Sequence, residues 1–209
     1  MTRVAREALR LYLVIGGLDE APLLDLVRAA VGGGVRCVQL REKSLGTRAF
    51  VSRALALRRL LRDAGVPLII NDRLDVALAC AADGVHVGQD DIPVDVIRRH
   101  MPDAIVGLSV GSPAELDAGA ALDVDYLSPS PLFATRSKPD AGPPVGLDGL
   151  RTMRGRCNLP LVAIGGIDAG NAAAVFAAGA DGIAVVSAIA AADDPAAASA
   201  ALAAIAQRA

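Results

Sequence analysis

Short apolar runs alternate with longer segments rich in Ala, Leu and Arg along nearly all of this 209-residue chain. Strands are predicted at 9–15, 35–41, 67–71, 84–87, 105–109, 125–128, 161–164 and 182–187. Helices are predicted near 19–32, 47–64, 74–81, 94–100, 113–121, 147–154, 169–178 and 195–208, with Thr47 as the N-cap of the second. Strict alternation of strand and helix implies parallel pairing. Eight such units favour an α/β fold, a (β/α)8 TIM barrel forming one domain over 1–209, with a doubly wound open sheet as the alternative.

A repeat supports the barrel. Four helix-to-strand junctions, at 29–35, 79–85, 119–125 and 177–183, resemble one another and precede the second, fourth, sixth and eighth strands. Recurrence at every second unit suggests the alternate-strand layers of a barrel interior. Gly-rich junctions that any α/β protein reuses are the simpler explanation.

Composition narrows the class of protein. Aromatic residues make up only 2% of the chain and the net charge is −2, so neither a base-stacking platform nor a basic surface for nucleic acid is expected. The three cysteines are scattered, which is typical of reduced thiols in the cytoplasm. No apolar stretch of about 18 residues occurs, and the charged start lacks a signal-peptide core. A cytoplasmic location with no membrane contact is therefore predicted.

Polar residues follow the predicted strands, and the carboxyl ends of barrel strands carry the active site. In the second strand, period-2 alternation turns Gln39 and Arg41 toward the barrel axis, with Lys43 just beyond. An inward arginine is costly unless it meets an anion. The alternative is a structural ion pair of Arg41 with Glu42 or Asp72.

Two carboxylates are expected at the same mouth. Asp72 follows the third strand and Asp91 the fourth, and Mg²⁺ favours a few carboxylates together with phosphate oxygens. A single Asp after a strand is more often a helix N-cap, and Asp90 fits that role. Because Asp72 and Asp91 are expected at the same mouth, the sequence predicts a Mg²⁺ site at these two residues.

A second anion site is predicted on the other side of the barrel. Loops after the seventh and eighth strands often bind phosphate, and here they contain Gly165, Gly166 and Ser187. The segment 129–146 holds five prolines and the string Thr135-Arg-Ser-Lys138, so we expect a binding loop or lid. Ser109 places a hydroxyl at the end of the fifth strand.

Nothing in the sequence indicates a catalytic nucleophile. His86 and His100 are the only histidines, and no cysteine has a histidine in a suitable position. His86 lies within the fourth strand, where a hydrogen-bonded core role is expected. The chemistry should then depend on the stabilisation of a leaving group by metal and charge.

In sequence order, seven motifs at strand ends resemble those of thiamine phosphate synthases. They are Gln39-Leu-Arg-Glu-Lys43, Asn71-Asp-Arg73, Gly84-Val-His-Val-Gly-Gln-Asp-Asp91, Gly107-Leu-Ser109, Thr135-Arg-Ser-Lys138, Ala163-Ile-Gly-Gly-Ile167 and Val186-Ser-Ala-Ile189. The resemblance covers about residues 9 to 190 and implies a transferase of thiamine biosynthesis (EC 2.5.1 type). Such an enzyme joins 4-amino-2-methyl-5-(diphosphomethyl)pyrimidine to hydroxyethylthiazole phosphate with Mg²⁺, by a dissociative route that releases diphosphate.

The same resemblance implies residue roles. Arg41, Lys43, Ser109 and Lys138 would be catalytic, and with Gln39, Glu42 and Asn71 they would bind the pyrimidine diphosphate. Asp72 and Asp91 would hold Mg²⁺. Thr135, Ser137, Gly166 and Ser187 would bind the thiazole phosphate, and Gly165 and Val186 complete the substrate-binding set.

Some positions depart from the family pattern. Gly111 stands where the family has His, Ser128-Pro-Ser-Pro131 replaces Gly-x-Gly-Pro, and Ser137 replaces a Thr. These changes fall on the thiazole side. A thiazole tautomerase-like isomerase and a non-catalytic paralogue that binds thiazole phosphate are the alternatives, and homo-oligomerisation is left open.

Overall fold

The computed structural model describes residues 3–135, 137 and 142–208, and these form eight strands and ten helices. The strands are β1 (Leu11–Ile15), β2 (Cys37–Leu40), β3 (Leu68–Asn71), β4 (Gly84–Val87), β5 (Ile105–Val110), β6 (Tyr126–Pro129), β7 (Val162–Ile164) and β8 (Gly182–Val185). The helices are α1 (Arg6–Leu9), α2 (Glu20–Gly32), α3 (Thr47–Asp63), α4 (Leu74–Cys80), α5 (Val94–His100), α6 (Pro113–Ala120), α7 (Gly146–Arg156), α8 (Ala172–Ala177), α9 (Ser187–Ala190) and α10 (Pro195–Arg208). No helix among the described residues combines the length and apolarity needed to cross a bilayer.

All strand pairs are parallel, in the order β6-β5-β4-β3-β2-β1-β8-β7. The two ends of this order meet, because Leu127 of β6 bridges Leu161 next to β7. The Leu127 amide also donates to the Pro160 carbonyl at 3.0 Å. The sheet therefore closes on itself, which confirms the predicted barrel and rules out the open doubly wound sheet.

Alternate residues of the strands build two apolar clusters. One fills the barrel and consists mainly of Tyr12, Val14, Cys37, Ile69, Ile105, Tyr126, Val162 and Ala184. The other, larger cluster lies between the sheet and its helices and includes Val38 and Leu40 of β2. The period-2 interpretation of β2 is thus confirmed, with Cys37 and Gln39 inside and Val38 and Leu40 outside.

The repeated junctions have a common structural role before β4, β6 and β8. In each, an aspartate accepts a hydrogen bond from a backbone amide of the neighbouring strand segment and pairs with an arginine from a helix. The sets are Asp83 with Leu68 and Arg58, Asp125 with Val106 and Arg98, and Asp181 with Leu161 and Arg154. Because each carboxylate bridges a strand and a helix, the repeat ties the amino-terminal end of the barrel together.

Two short helices, α1 and α9, were not predicted, because each has only four residues and shows no periodicity. The predicted cap at Thr47 is wrong. Gly46 is the N-cap of α3, and the Thr47 hydroxyl instead accepts a hydrogen bond from Arg73 at 2.8 Å. A hydrogen bond with a residue 26 positions further along the chain has replaced the local cap of the helix.

Candidate active site

Two adjoining cavities open at the carboxyl ends of the strands. The polar cavity, of about 280 Å³, lies against β2 to β5, and the larger cavity, of about 580 Å³, lies against β7, β8 and the segment after β6. Arg41, Lys43 and Ser130 line both. The cavities are therefore neighbours across one mouth of the barrel, which is where this fold carries its active site.

The polar cavity brings together the predicted diphosphate and metal residues. Its lining includes Gln39, Arg41, Lys43, Asn71, Asp72, Asp91 and Ser109. These residues come from β2, β3, β4 and β5 and from the turns that follow them. The convergence of basic, acidic and amide side chains on one space is what a bound polyanion with a metal ion requires.

Asp72 interacts with two other charged side chains of this cavity, Lys43 and Asp91. Its Oδ2 is 2.6 Å from Lys43 Nζ, and its backbone adopts a left-handed conformation with φ 61°. The Asp72 amide donates to the His86 carbonyl at 2.8 Å, which continues the β3–β4 ladder. Burial raises the pKa of the Asp72 carboxyl above its usual range, Lys43 opposes the rise, and neighbouring Asp91 adds to it. Two carboxylates thus share a partly buried space beside Lys43.

Asp91 is held by the turn after β4. Its Oδ2 accepts a hydrogen bond from the Gly88 amide at 2.8 Å. Asp90 lines the same cavity but does not cap α5, whose N-cap is Pro93. The suggested cap role of Asp90 is therefore wrong.

Arg41 and Glu42, adjacent in sequence, have different surroundings. Arg41 lines both cavities, and no ion pair joins it to any residue that the structure describes. The Glu42 carboxylate is almost completely buried and pairs with Arg53 of α3 at 2.7 Å. It also accepts from the Gly17 amide at 3.2 Å. The proposed pairing of Arg41 with Glu42 or Asp72 is thus wrong, and Arg41 remains available to an anion.

A chain of hydrogen bonds crosses the floor of the polar cavity. Gln39 Nε2 donates to Tyr12 Oη at 2.8 Å, and Tyr12 Oη lies 3.1 Å from Tyr126 Oη. Tyr126 Oη lies 2.9 Å from His86 Nδ1, and His86 Nε2 lies 2.9 Å from Ser109 Oγ. The hydrogen-bonded core role predicted for His86 is confirmed. The two tyrosines were missed, although both sit at inward positions of their strands.

The larger cavity holds the predicted phosphate-binding residues Thr135, Ser137, Gly165, Gly166, Val186 and Ser187. Gly165 and Gly166 both have positive φ, at 108° and 64°. A Cβ on Gly166 would lie 2.7 Å from the Ala134 carbonyl oxygen. Only glycine combines this conformation with this close approach. The turn after β7 thereby brings the backbone of both glycines to the wall of the cavity.

The segment after β6 is anchored to the β7 turn. The Leu132 amide donates to the Ile164 carbonyl at 2.7 Å, and the Phe133 amide donates to the Gly165 carbonyl at 3.0 Å. Further along, the Ser137 amide donates to Thr135 Oγ1 at 3.2 Å. Lys138, predicted to be catalytic, lies outside the described residues.

The departures at Ser128 and Ser130, at the end of β6, were expected on the thiazole side. Of the two cavities, Ser128 lines only the polar one, whereas Ser130 lines both. The Ser128 hydroxyl donates to the Val162 carbonyl at 2.7 Å, so it joins β6 to β7.

An eight-stranded parallel barrel with polar residues from successive strands at one mouth defines a (β/α)8-barrel enzyme. The family model described as thiamine monophosphate synthase matches residues 11–189. The chain belongs to this family.

Individual relatives agree with the family match. The thiamine-phosphate synthase of Albidiferax ferrireducens is 56% identical over 195 residues, covering 92% of this chain and 89% of that protein. The corresponding protein of Chloroflexus aurantiacus is 54% identical over 187 residues, covering 88% and 87%. The solved structure of thiamine phosphate pyrophosphorylase from Pyrococcus furiosus superimposes with a TM-score of 0.89 at 36% identity, covering 97% of this chain and 98% of that one.

Proposed function

We propose that this transferase condenses 4-amino-2-methyl-5-(diphosphomethyl)pyrimidine with hydroxyethylthiazole phosphate to give thiamine phosphate and diphosphate. The family match over residues 11–189 carries this proposal. It is supported by the convergence of every described residue of the predicted site on two adjoining cavities. Two cavities with different linings suit two anionic substrates that react with each other.

The polar cavity is proposed to take the pyrimidine diphosphate. Arg41 and Lys43 would bind diphosphate oxygens, and the amides of Gln39 and Asn71 and the Ser109 hydroxyl would hold the remaining polar atoms. In the reaction the bond from the pyrimidine methylene to oxygen breaks, and its electron pair leaves with the diphosphate. Arg41 and Lys43 stabilise the charge that collects there. Lys138 is proposed to assist them.

Mg²⁺ is proposed to bind at Asp72 and Asp91. These carboxylates lie close enough for Asp91 to raise the pKa of Asp72, an arrangement that a divalent cation would relieve. Among the described residues no three acidic, histidine or cysteine side chains gather as metal ligands, so water and substrate oxygens would complete the coordination. When bound, the ion would neutralise charge on the departing diphosphate.

The larger cavity is proposed to take the thiazole phosphate. Backbone groups at Gly165, Gly166 and Val186 and the hydroxyls of Thr135, Ser137 and Ser187 would bind its phosphate. The thiazole ring nitrogen would then give its lone pair to the methylene carbon of the pyrimidine, forming the new C–N bond. Glu42 is proposed to act on the substrate mainly through the placement of its neighbours Arg41 and Lys43, because its own carboxylate is paired with Arg53.

Diphosphate release tests the proposal. The purified protein is supplied with both substrates, with each alone, and with or without Mg²⁺. We expect release and thiamine phosphate formation only when both substrates and the metal are present. Turnover of a thiazole substrate without metal would favour the tautomerase-like isomerase instead. Binding of thiazole phosphate without turnover would favour the non-catalytic paralogue.

The setting proposed for this reaction is the cytoplasm, without nucleic acid or membrane partners. The free, buried state of Cys37, Cys80 and Cys157 supports a reducing compartment. The small negative net charge of −2 supports the absence of a nucleic-acid partner. Sedimentation or light scattering tests whether the protein forms a homo-oligomer.

A further inference from the structure

The hydrogen-bond chain beneath the polar cavity ends at a proposed catalytic hydroxyl. It runs from Gln39 through Tyr12, Tyr126 and His86 to Ser109, and each donor–acceptor distance is between 2.8 and 3.1 Å. Both tyrosine side chains are fully buried in the barrel. Because a buried hydroxyl must place its single proton on an acceptor, the protons along such a chain are ordered.

Two orderings are conceivable, and they make opposite demands on Ser109. In the first, Tyr12 donates to Tyr126, Tyr126 donates to His86 Nδ1, and His86 Nε2–H donates to Ser109 Oγ. In the second, every donation is reversed, so that the Ser109 proton points down to His86. The first leaves the Ser109 proton directed to the cavity, whereas the second leaves only a lone pair there.

The Gln39 end of the hydrogen-bond chain selects the first ordering. Gln39 Nε2 donates to Tyr12 Oη, so the Tyr12 proton must go elsewhere, and Tyr126 Oη is the oxygen 3.1 Å away. With the Gln39 amide in this orientation, the reversed ordering would make Tyr12 Oη accept twice. Its own proton would then fall to a weak acceptor such as the neighbouring Cys37 thiol. Burial raises the pKa of both tyrosines well above the usual range, so each keeps its proton at neutral pH.

We propose that Tyr12 and Tyr126 are positioning residues that hold His86 in the Nε2–H tautomer and thereby make Ser109 a hydrogen-bond donor to the pyrimidine diphosphate. The inference rests on the proposed function for the identity of that ligand. A ring nitrogen of the pyrimidine or an oxygen of its diphosphate has the lone pair that such a donor recognises. The tautomer is a property of the ligand-free protein.

The packing beneath the site supports a preset arrangement. The His86 and Tyr126 rings stack with centroids 5.5 Å apart and planes inclined by 26°. They fit because residue 107 on the adjacent strand is glycine, where a Cβ would lie 2.1 Å from Tyr126 Cζ and 2.5 Å from His86 Nδ1. The close packing leaves the imidazole little freedom to rotate away from either partner.

Nitrogen NMR of ¹⁵N-histidine-labelled protein tests the tautomer directly. The chain has only two histidines, so a His100→Gln variant assigns the His86 signals. At about pH 8, where an ordinary histidine is neutral, we expect the His86 proton on Nε2 and none on Nδ1. A proton on Nδ1 would overturn the proposal. Because no substrate is present, this result is independent of the proposed function.

Kinetics then tests whether Tyr126 acts through Ser109. We expect Tyr126→Phe to lower kcat about tenfold, as for the loss of one hydrogen bond to the reacting complex, with KM for thiazole phosphate unchanged. In a Ser109→Ala background the same substitution should have no further effect. Equal losses in both backgrounds would show a general structural effect and would reject the positioning role.

A matched control removes a buried hydroxyl elsewhere. Ser199 of α10 is fully buried, and its hydroxyl donates to the Pro195 carbonyl at 2.7 Å, away from both cavities. Ser199→Ala should leave kcat and the His86 tautomer unchanged. If Tyr126→Phe does not fold, the tautomer of the unaltered protein still decides the proposal. A protein that forms no thiamine phosphate would contradict the proposed function and leave the tautomer result standing.

Discussion

Lys43 Nζ lies 2.6 Å from Asp72 Oδ2 in the polar cavity, so a proposed diphosphate-binding cation is held by a proposed metal ligand. The lysine side chain is more than half exposed and the aspartate is largely covered. The position of the lysine is therefore set mainly by the aspartate. We infer that a change in charge at Asp72 acts both on Lys43 and on the proposed Mg²⁺, which are two proposed partners of the diphosphate.

Asp72→Asn should lower kcat by about a hundredfold or more, because it removes one of two carboxylates for Mg²⁺. Asparagine tolerates the left-handed backbone at this position, so the fold should persist. The measurement is diphosphate release against Mg²⁺ concentration, with thermal unfolding as the check on folding. Asp91→Asn should behave similarly.

Asp75→Asn is the matched control for Asp72, because Asp75 pairs with Arg73 on α4 and lines neither cavity of the site. Its kcat and Mg²⁺ dependence should match those of the unaltered protein. Near-normal turnover of Asp72→Asn would mean that the metal site lies elsewhere.

Glu42→Gln should destabilise the protein by about 3 kcal/mol, since it leaves the partly buried Arg53 guanidinium without its carboxylate partner. Arg53→Met should give a similar loss, because it breaks the same pair from the other side. Both are measured as the free energy of unfolding in urea, together with KM for each substrate. If Glu42 contacts the substrate directly, only Glu42→Gln will raise KM for the pyrimidine diphosphate.

Gly107→Ala should lower the free energy of unfolding by roughly 1–3 kcal/mol, because the new methyl group collides with the stacked rings of His86 and Tyr126. Displacement of His86 should also reduce kcat. Gly155→Ala is the control, since it lies in α7 with open space around it and should stabilise the helix slightly. Chemical unfolding measures the free energy of unfolding of both variants. Equal values would contradict the packing seen around Gly107.

Gly166→Ala should raise KM for thiazole phosphate about tenfold or more, because it strains a left-handed residue and pushes against the Ala134 carbonyl. KM for the pyrimidine diphosphate should change little. Gly65→Ala has a nearly identical φ, 67° against 64°, but meets no atom within 4 Å. It should therefore show the backbone cost in stability alone, and a rise of both KM values in Gly166→Ala would argue against separate substrate sites.

Much of the architecture was predictable because it depends on local pattern. The apolar runs between helical segments predicted all eight strands, with errors of a few residues at their ends. For example, β2 was predicted at 35–41 and is observed at Cys37–Leu40. The gathering of most proposed site residues at one mouth was predictable too, since parallel strands carry their terminal residues to the same end of the barrel. The short helices α1 and α9 were missed, because four residues carry no periodic signal.

The hydrogen-bond and ion-pair partners of the long polar side chains were not predictable from the sequence. Glu42 pairs with Arg53 of α3, and Thr47 accepts from Arg73, although the sequence suggested a substrate contact and a helix cap. In each case the partner comes from another element, and its direction depends on how that element packs. The same holds for Tyr12 and Tyr126, which are 114 residues apart and meet only inside the closed barrel.

The order of apolar and polar residues along this chain was enough to specify the strands, the barrel and the end at which chemistry takes place, because those follow from periodicity and from parallel connection. Closure of the sheet decided the rest. When β6 meets β7, Tyr126 comes within hydrogen-bond range of Tyr12 inside the barrel. The burial, charge pairing and proton order of the site then arise from neighbours that no local pattern encodes.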